Sequence, residues 1–278
     1  MKVFNTSHGI VIKDDENYYV VNADDWDSFI NDDELYTKIR EHIKQLQPDV
    51  SAARYVESHI LPPIRSQEVW ACGVTYYRSK VGRQEESKET GGSIFYSRVY
   101  EAERPEIFFK ATAQRCVGHN QQVAIRKDST WDVPEPELTL VVTSSGKIVG
   151  YTIGNDMSSR SIEGENPLYL PQAKMYDGSA AVGPCVYVTG EPLPPDTLIK
   201  LTITRQGKTV FEGEVEIKQI KRKFEELVSY VYRETSFPFG CLIMTGTGIV
   251  PSHDFSLQTN DIIEIEIQPI GVLKNTVK

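Results

Sequence analysis

The strongest constraint on the fold of this chain is a pair of apolar runs separated by a four-residue turn signal. Residues 138–142 read Leu-Thr-Leu-Val-Val, the turn signal at residues 144–147 reads Ser-Ser-Gly-Lys, and residues 148–153 return as Ile-Val-Gly-Tyr-Thr-Ile. Apolar and β-branched residues dominate both runs, and a short glycine-containing turn between such runs is typical of a hairpin. The pattern therefore predicts two antiparallel strands within a β-rich fold.

Three acids lie at the open end of this hairpin. Glu135 and Glu137 precede the first run, and Asp156 follows the second. Residues two apart on a strand point to the same face, so the two glutamates present their oxygens side by side. A turn centred on residues 145–146 places Glu135 opposite Asp156, and carboxylates this close repel one another unless a cation lies between them. The arrangement predicts a site for a hard divalent ion, Mg²⁺, Mn²⁺ or Ca²⁺.

The alternative interpretation is a solvated strand face. An isolated Glu-x-Glu pattern is more often exposed than metal-binding, because glutamate is rarely buried. The hairpin geometry and the apolar residues around the acids favour metal binding here.

The composition of the chain argues against nucleic acid and membranes as partners. Lysine and arginine number 30 against 39 acids, which gives a net charge of −9, so nucleic acid is not an expected partner. We expect a cytoplasmic enzyme without a membrane partner, since no apolar run reaches the length of a membrane span and the N-terminal residues lack the apolar core of a signal peptide. The scattered cysteines predict buried reduced thiols at Cys72, Cys116, Cys185 and Cys241.

The chain length allows one large or two unequal domains. Residues 1–65 are rich in acids and are predicted to form a small α/β N-terminal domain. Its elements are two strands at residues 9–13 and 18–22 and a helix at residues 33–47. Pro62 and Pro63 favour an extended backbone and mark a stiff junction.

Residues 66–278 are predicted to form a mainly β catalytic domain, so that the whole chain is α+β. Short apolar runs between glycines and prolines predict strands at residues 69–74, 107–110, 138–143, 148–153, 185–189, 199–204 and 262–267. The clearest helix is predicted at residues 221–234. The polar residues 84–93 have no periodicity, which predicts a loop near the site.

Several motifs in this region resemble the fumarylacetoacetate hydrolase family. The family's metal motif is a Glu-x-Glu strand followed by Asn-Asp-x-Ser-x-Arg, which matches residues 135–137 and 155–160. Lys174, the Gly183-Pro184 pair and residues 240–252 also match, in the family's order, and the resemblance covers residues 66–278. It implies a β-rich catalytic domain of that family, a metal held by the three acids above, and a homo-oligomer, a dimer or a tetramer.

The segment at residues 73–80 departs from the family pattern. Hydrolytic members carry a histidine there that helps to activate water, whereas this chain has Arg78 and no histidine. Arginine does not abstract protons near neutral pH, but it binds carboxylates through two hydrogen bonds. Ser161 and Glu163 also replace an acid and a glutamine of the family pattern. These departures weaken the interpretation of the chain as a hydrolase of C–C bonds.

Glu106 and Lys174 are the candidate acid and base. Glu106 is followed by Ile107, Phe108 and Phe109, so poor solvation would favour its protonated form. Lys174 has apolar neighbours and suits a general base or a cation that binds the substrate carboxylate. The alternatives are an exposed glutamate at a strand end and an ordinary surface lysine.

Other polar residues are candidates for substrate binding. They are Arg78, Arg115, Arg160 and Thr247. Arg160 ends the Asn-Asp-x-Ser-x-Arg motif, and Thr247 lies in the glycine-threonine loop. His119 could line the pocket as well, but a single histidine in a loop is more often structural.

The departures fit the branch of the family that dehydrates 2-keto-3-deoxy sugar acids in oxidative pentose degradation. That resemblance implies Mg²⁺-dependent conversion of 2-keto-3-deoxy-D-arabinonate to 2,5-dioxopentanoate, with Lys174 and Glu106 as the acid–base pair. The sequence does not decide which of the two is the base. Three alternatives stay open: a C–C bond hydrolase of a 2,4-diketo-3-deoxy sugar acid, a 2-oxo acid decarboxylase, and a metal-binding scaffold without catalytic activity.

Overall fold

Two packed sheets dominate the described part of the chain. A computed structural model describes residues 1–21, 23, 25–86 and 93–278, with side chains described except at residues 83–86 and 93–96. Strands outnumber helices among the described residues, so the predicted α+β class with a mainly β catalytic region is confirmed. None of the described helices is long and apolar enough to span a membrane.

The strands alternate in sequence with a smaller number of short helices. In chain order the strands are β1 (Lys2–Thr6), β2 (Gly9–Asp14), β3 (Asn17–Val21), β4 (Glu68–Gly73), β5 (Glu106–Thr112), β6 (Cys116–Val117), β7 (Gln122–Val123), β8 (Asp132–Val133), β9 (Pro136–Val142), β10 (Ile148–Asp156), β11 (Ser158–Ser159), β12 (Ala180–Tyr187), β13 (Leu198–Arg205), β14 (Lys208–Glu216), β15 (Cys241–Met244), β16 (Ile262–Ile267) and β17 (Gly271–Val277). The helices are α1 (Trp26–Ile30), α2 (Leu35–Gln45), α3 (Ala52–Ser58), α4 (Tyr77–Glu86), α5 (Ser93–Glu101), α6 (Arg160–Glu165), α7 (Leu170–Lys174) and α8 (Phe224–Val231), with 3-10 turns at Ala113–Arg115, Pro167–Tyr169 and Ile217–Gln219.

The larger sheet contains ten strands of the described chain. Their order is β3-β2-β1-β12-β10-β9-β15-β4-β5, and β6 pairs with β12 beside this path. Most neighbours are antiparallel, whereas β15 runs parallel to β4 and β6 runs parallel to β12. The smaller sheet has the order β14-β13-β16-β17-β7, and β8 pairs with β11 separately.

Strand β9 is buried on both faces, which explains its continuous apolar sequence. Leu140 and Val142 belong to the core shared with the smaller sheet, together with residues such as Leu201. Val141 points to the opposite face and joins a second core with helix residues such as Leu35. The central strands are therefore held rigidly between two layers, and the acids at their ends share that rigidity.

The register of the predicted hairpin is confirmed. Strands β9 and β10 pair antiparallel, with Gly154 opposite Glu137 and Asn155 opposite Pro136. The next step along the ladder is a hydrogen bond from the Asp156 amide to the Glu135 carbonyl oxygen, 3.0 Å long. A register shift between Ile148 and Gly150 lies at the turn end, away from the acids.

The N-terminal region contains the predicted strands and helix at β2, β3 and α2, while Asn22, the last residue of the predicted second strand, lies outside the described residues. It also contains β1, which the sequence does not predict because only Val3 and Phe4 are apolar in that run. Strand β1 pairs with β12, so the first three strands continue the larger sheet. The division into residues 1–65 and 66–278 stays a prediction.

The sequence also predicts buried cysteines and a loop at residues 84–93. The four cysteines are buried and free, as predicted. The predicted loop at residues 84–93 is wrong at its two ends, because residues 84–86 complete α4 and Ser93 begins α5. Residues 87–92 lie outside the described residues.

The hairpin register depends on the absence of a side chain at Gly154. A Cβ atom at this position would lie 2.3 Å from Thr139 Oγ1, on a residue that is fully buried. We expect Gly154→Ala to lower the free energy of unfolding by about 1–3 kcal/mol, as overpacking does in a dense core. Chemical denaturation of Gly154→Ala and of Gly154→Ala/Thr139→Ala tests this. The double variant should recover part of the loss, and an unchanged Gly154→Ala protein would contradict the close packing.

Candidate metal and acid–base centre

The three predicted acids meet in the interior of the protein. Glu135 precedes β9, Glu137 lies within it, and Asp156 ends β10, so one hairpin positions all three. One carboxylate oxygen from each lies within 4.8 Å of the others, and all three side chains are buried. The solvated strand face considered for the sequence is therefore wrong.

Glu137 is the acid whose pKa is raised most clearly by its surroundings. Burial raises its pKa well above the ordinary value, and the charges of Asp156 and Glu135 raise that pKa further. The Gly246 amide donates a hydrogen bond of 2.5 Å to Glu137 Oε2 and partly offsets the effect. A hard divalent cation prefers several carboxylate oxygens and would relieve this repulsion. The donor set and its electrostatics therefore fit a divalent metal.

Gly246 can approach Glu137 because it has no side chain. Its backbone has a φ of +95°, in the region that favours glycine. A Cβ atom there would also lie 2.0 Å from Thr75 Oγ1 and 2.8 Å from the Cys72 carbonyl oxygen. The glycine-threonine loop thus contributes a backbone donor to the centre. Thr247 is buried beside it, and its hydroxyl donates to the Ile249 carbonyl oxygen over 3.3 Å.

Lys174 lies directly against two of the acids. It ends α7 and is fully buried. Its Nζ donates to Glu135 Oε2 over 2.7 Å, to Asp156 Oδ2 over 3.0 Å and to Ser158 Oγ over 2.5 Å. The interpretation of Lys174 as an ordinary surface lysine is therefore wrong.

Lys110 is a second buried lysine, which the sequence analysis missed. Its Nζ is 2.6 Å from Asp156 Oδ1 in an ion pair and is completely excluded from solvent. Burial lowers the pKa of Lys110, and Asp156 only partly opposes this. Burial also pushes the pKa of Asp156 up, but Lys110 and Lys174 outweigh it and hold that pKa below its ordinary value. The available signal was a lysine at the end of the apolar run Ile-Phe-Phe-Lys.

Arg160 forms an ion pair with Glu135, on the carboxylate oxygen that Lys174 does not contact. Its guanidinium Nη2 lies 2.5 Å from Glu135 Oε1, and both side chains are buried. The arginine of the Asn-Asp-x-Ser-x-Arg motif is thus placed on an acid of the centre. Its predicted part in substrate binding stays a prediction.

Glu106 begins β5 and faces Gly73 on β4. A Cβ atom at Gly73 would lie 2.2 Å from Glu106 Oε2, so the glycine makes room for this carboxylate. Burial raises the pKa of the Cys72 thiol well above its ordinary value, and the charges of Glu137 and Glu106 raise that pKa further. Glu106 thus begins β5 two residues before Phe108, whose ring centre lies 5.6 Å from Lys174 Nζ.

The remaining predicted residues lie farther out. Arg115 is exposed and forms a long ion pair of 3.8 Å with Asp177. Arg78 lines a cavity of about 550 Å³ with Trp131 and His253. His119 Nδ1 accepts a hydrogen bond from the Lys274 amide, and burial lowers the pKa of this histidine, which agrees with a structural role. The substrate-binding roles of Arg78, Arg115 and Thr247 stay predictions.

The cavity adjoins the ionic network through the backbone. The Trp131 carbonyl oxygen accepts a hydrogen bond of 2.7 Å from the Arg160 amide. Val250 also lines the cavity and follows the loop of Gly246 and Thr247. A substrate entering from this side would approach the acids between the loop and the start of α6.

Comparisons with known proteins identify the family of this chain. The family profile described as fumarylacetoacetate (FAA) hydrolase C-terminal matches residues 75–278. The 2-dehydro-3-deoxy-D-arabinonate dehydratase of Saccharolobus solfataricus is 47% identical over 221 residues, which cover 79% of this chain and 74% of that protein. A probable 2-keto-3-deoxyxylonate dehydratase of Haloferax volcanii is also 47% identical, over 82% of this chain and 78% of its own length.

A solved structure extends the likeness to the whole fold. 2-Keto-3-deoxy-D-arabinonate dehydratase complexed with magnesium and 2,5-dioxopentanoate superimposes with a TM-score of 0.83 at 38% identity. The match covers 100% of this chain and 99% of that one. Since the profile and the relatives match most of its length, the chain belongs to the fumarylacetoacetate hydrolase family.

Proposed function

We propose that this protein is a Mg²⁺-dependent hydro-lyase that converts 2-keto-3-deoxy-D-arabinonate, or a closely related 2-keto-3-deoxy pentonate, to 2,5-dioxopentanoate and water. The observation that carries the proposal is the position of Lys174 Nζ between Glu135 and Asp156, in a chain 47% identical to two pentonate dehydratases. A buried base beside a metal-binding set of acids suits removal of a proton next to a carbonyl group.

The residues that would hold Mg²⁺ are Glu135, Glu137 and Asp156. When bound, the ion supplies Lewis acidity, which makes the hydrogens next to the keto group of a 2-oxo acid easier to remove. The relative complexed with magnesium and 2,5-dioxopentanoate supports this choice of ion. Mn²⁺ and Ca²⁺ bind the same class of oxygen ligands.

Lys174 is the proposed base. Its Nζ donates to Glu135, Asp156 and Ser158, which hold it beside the proposed metal ligands. As a general base, Lys174 first releases one ammonium proton to solvent. The neutral amine then accepts a C3 proton of the substrate and becomes an ammonium group again.

Glu106 is the proposed acid. The C4 hydroxyl group leaves as water only if it receives a proton as the C4–O bond breaks. We assign this donation to the carboxyl group of Glu106, which lies on β5 two residues before Phe108, the aromatic neighbour of Lys174. The removal of C3–H and C4–OH forms a C3=C4 double bond. Transfer of one C5 proton to solvent and return of one proton to C3 give a C4=C5 enol. Loss of the enol O5 proton and addition of one proton at C4 then give the C5 aldehyde, so that the net change is the loss of one water.

The hydrolase alternative has less support in this chain. Hydrolysis of a C–C bond needs a residue that activates water, and the segment at residues 73–80 has no histidine for that task. Arg78 stands there and suits binding of an anionic group instead. The decarboxylase alternative requires no general acid, so Glu106 would have no role in it.

We also propose that the protein works in the cytoplasm as a homo-oligomer, a dimer or a tetramer. Closed symmetric assemblies are the usual form of soluble oligomers. The family resemblance supports the same expectation, and sedimentation analysis tests it, since a monomer at working concentration would contradict it.

The proposed reaction is tested with a panel of 2-keto-3-deoxy pentonates and hexonates, with and without Mg²⁺. We expect an aldehyde product, 2,5-dioxopentanoate, from the pentonates and only when Mg²⁺ is present. Pyruvate as the product would indicate C–C cleavage and would contradict dehydration. Release of CO₂ would favour the decarboxylase instead.

The metal assignment is tested at Glu137. We expect Glu137→Gln to lose Mg²⁺ binding in calorimetry and to lose turnover, because the amide cannot supply the charged oxygen. The amide oxygen still accepts the hydrogen bond from Gly246, and the lost charge is one that burial disfavours. The metal-free variant should therefore unfold no earlier than the wild type.

Glu212→Gln is the matched control for Glu137→Gln, since Glu212 lies exposed on β14. It should bind Mg²⁺ and turn over substrate as the wild type does. Full metal content and activity in Glu137→Gln would show that the assignment of this ligand is wrong.

The roles of Lys174 and Glu106 are separated by hydrogen exchange. We expect Lys174→Met to bind Mg²⁺ yet to lose both C3 exchange in D₂O and dehydration, by about a hundredfold to ten-thousandfold, the usual contribution of a general base. Glu106→Gln should keep C3 exchange and lose dehydration, because glutamine cannot protonate the leaving hydroxyl. NMR of the substrate in D₂O measures both steps. The reverse pattern would exchange the two roles, and normal dehydration in both variants would contradict the mechanism.

A further inference from the structure

We propose that Lys110 is a positioning residue that holds the metal ligand Asp156 and the backbone of Lys174 in one arrangement. The inference rests on the proposed function, because it assigns Lys110 a task within the same centre. It concerns a residue that touches the proposed ligand and the proposed base together, which no other described lysine side chain does.

Lys110 contacts three oxygens of the protein at once. Its Nζ is 2.6 Å from Asp156 Oδ1 in an ion pair, and it donates hydrogen bonds of 2.9 Å to the Met157 carbonyl oxygen and of 2.5 Å to the Lys174 carbonyl oxygen. The side chain is fully buried among these groups. Its influence on the reaction therefore passes through the groups that it holds.

Lys110 lies at a β-bulge of β5. In the pairing of β4 with β5, Trp70 faces Phe109 and Val69 faces Ala111, which leaves Lys110 as the extra residue. Bulges are frequent beside active sites. The Lys110 side chain reaches from β5 to the end of β10 and to the C-terminus of α7.

The same strand also carries the proposed acid. Glu106 and Phe108 are two residues apart on β5 and point to one face, and the Phe108 ring centre lies 5.6 Å from Lys174 Nζ. One strand thus supplies the acid, an aromatic wall for the base and the lysine that anchors the backbone of the base. Displacement of Lys110 would alter the distance between the base and the metal ligands.

The two carboxylate oxygens of Asp156 contact different lysines. Lys110 contacts Oδ1, whereas Lys174 contacts Oδ2. Lys110 therefore fixes the rotation of the carboxylate and turns Oδ2 toward Lys174 and Glu135. Residues that orient a ligand from behind typically change metal affinity or activity by about tenfold to a hundredfold when they are lost.

The test uses Lys110→Met, which keeps the length of the side chain and removes the charge and the donors. Lys200→Met, on an exposed position of β13, is the matched control. Two quantities are measured: the Mn²⁺ affinity of the substrate-free protein by electron paramagnetic resonance, and the rate of C3 exchange in D₂O at saturating metal. We expect Lys110→Met to weaken metal binding about tenfold to a hundredfold and to slow exchange at saturation by a similar factor.

A purely structural lysine would lower the unfolding temperature without changing either quantity, and that result would overturn the proposal. Weak metal binding with wild-type exchange at saturation would overturn the link to Lys174. If Lys110→Met does not fold, a crystal structure of the wild-type protein with bound metal decides. Lys110 Nζ should stay within hydrogen-bond distance of Asp156 and of the Lys174 carbonyl oxygen, and its departure from both would overturn the proposal.

The two proposals fail in different ways. A wild-type protein that exchanges and dehydrates none of the panel would contradict the proposed function. The metal affinities of the wild type and of Lys110→Met need no substrate, so they would still test the hold of Lys110 on Asp156.

Discussion

Compensation of buried charge is the constraint on which this structure depends. Glu135 and Asp156 lie in the interior, where an uncompensated carboxylate costs several kcal/mol. Lys174 bridges both acids, Lys110 holds the second oxygen of Asp156, and Arg160 holds the second oxygen of Glu135. Each of these two acids therefore meets a cation at both oxygens, and the arrangement is stable only while β5, β9, β10, α6 and α7 keep their relative positions.

Glu137 differs from its two neighbours, and that difference gives the centre its capacity for a further cation. Its carboxylate accepts a backbone hydrogen bond from Gly246, and its pKa is raised by burial and by the charges of Asp156 and Glu135. The local electrostatics therefore favour binding of a positive ion close to Glu137. The sandwich of β9 between two cores fixes the spacing of the acids before any ion binds.

The sequence predicted the part of the site that a single hairpin determines. Turn chemistry and the two-residue period of a strand were sufficient to place Glu135 opposite Asp156, because strand pairing follows directly from the turn. Motif resemblance added Lys174, which comes from a separate helix and which no local pattern could bring to the acids. The predicted strands and the β-rich fold class also agree with the structure.

The contacts that depend on distant elements could not be predicted. Lys110 ends an ordinary apolar run in the sequence, and its contacts with Asp156 and Lys174 depend on the approach of β10 and α7 to β5. Arg160 is a motif residue whose contact with Glu135 depends on the start of α6. Strand β1 has few apolar residues, and its place in the larger sheet depends on β12. In each case the tertiary environment decides what the local sequence leaves undetermined.

The most direct test of the proposed centre is a crystal structure of the protein grown with Mg²⁺ and a non-reactive 2-oxo acid. We expect an ion about 2.1 Å from one oxygen of each of Glu135, Glu137 and Asp156. We also expect Lys174 Nζ to have moved from between Glu135 and Asp156 toward C3 of the bound acid. An ion bound elsewhere, or a 2-oxo acid held away from Lys174, would contradict the proposed centre.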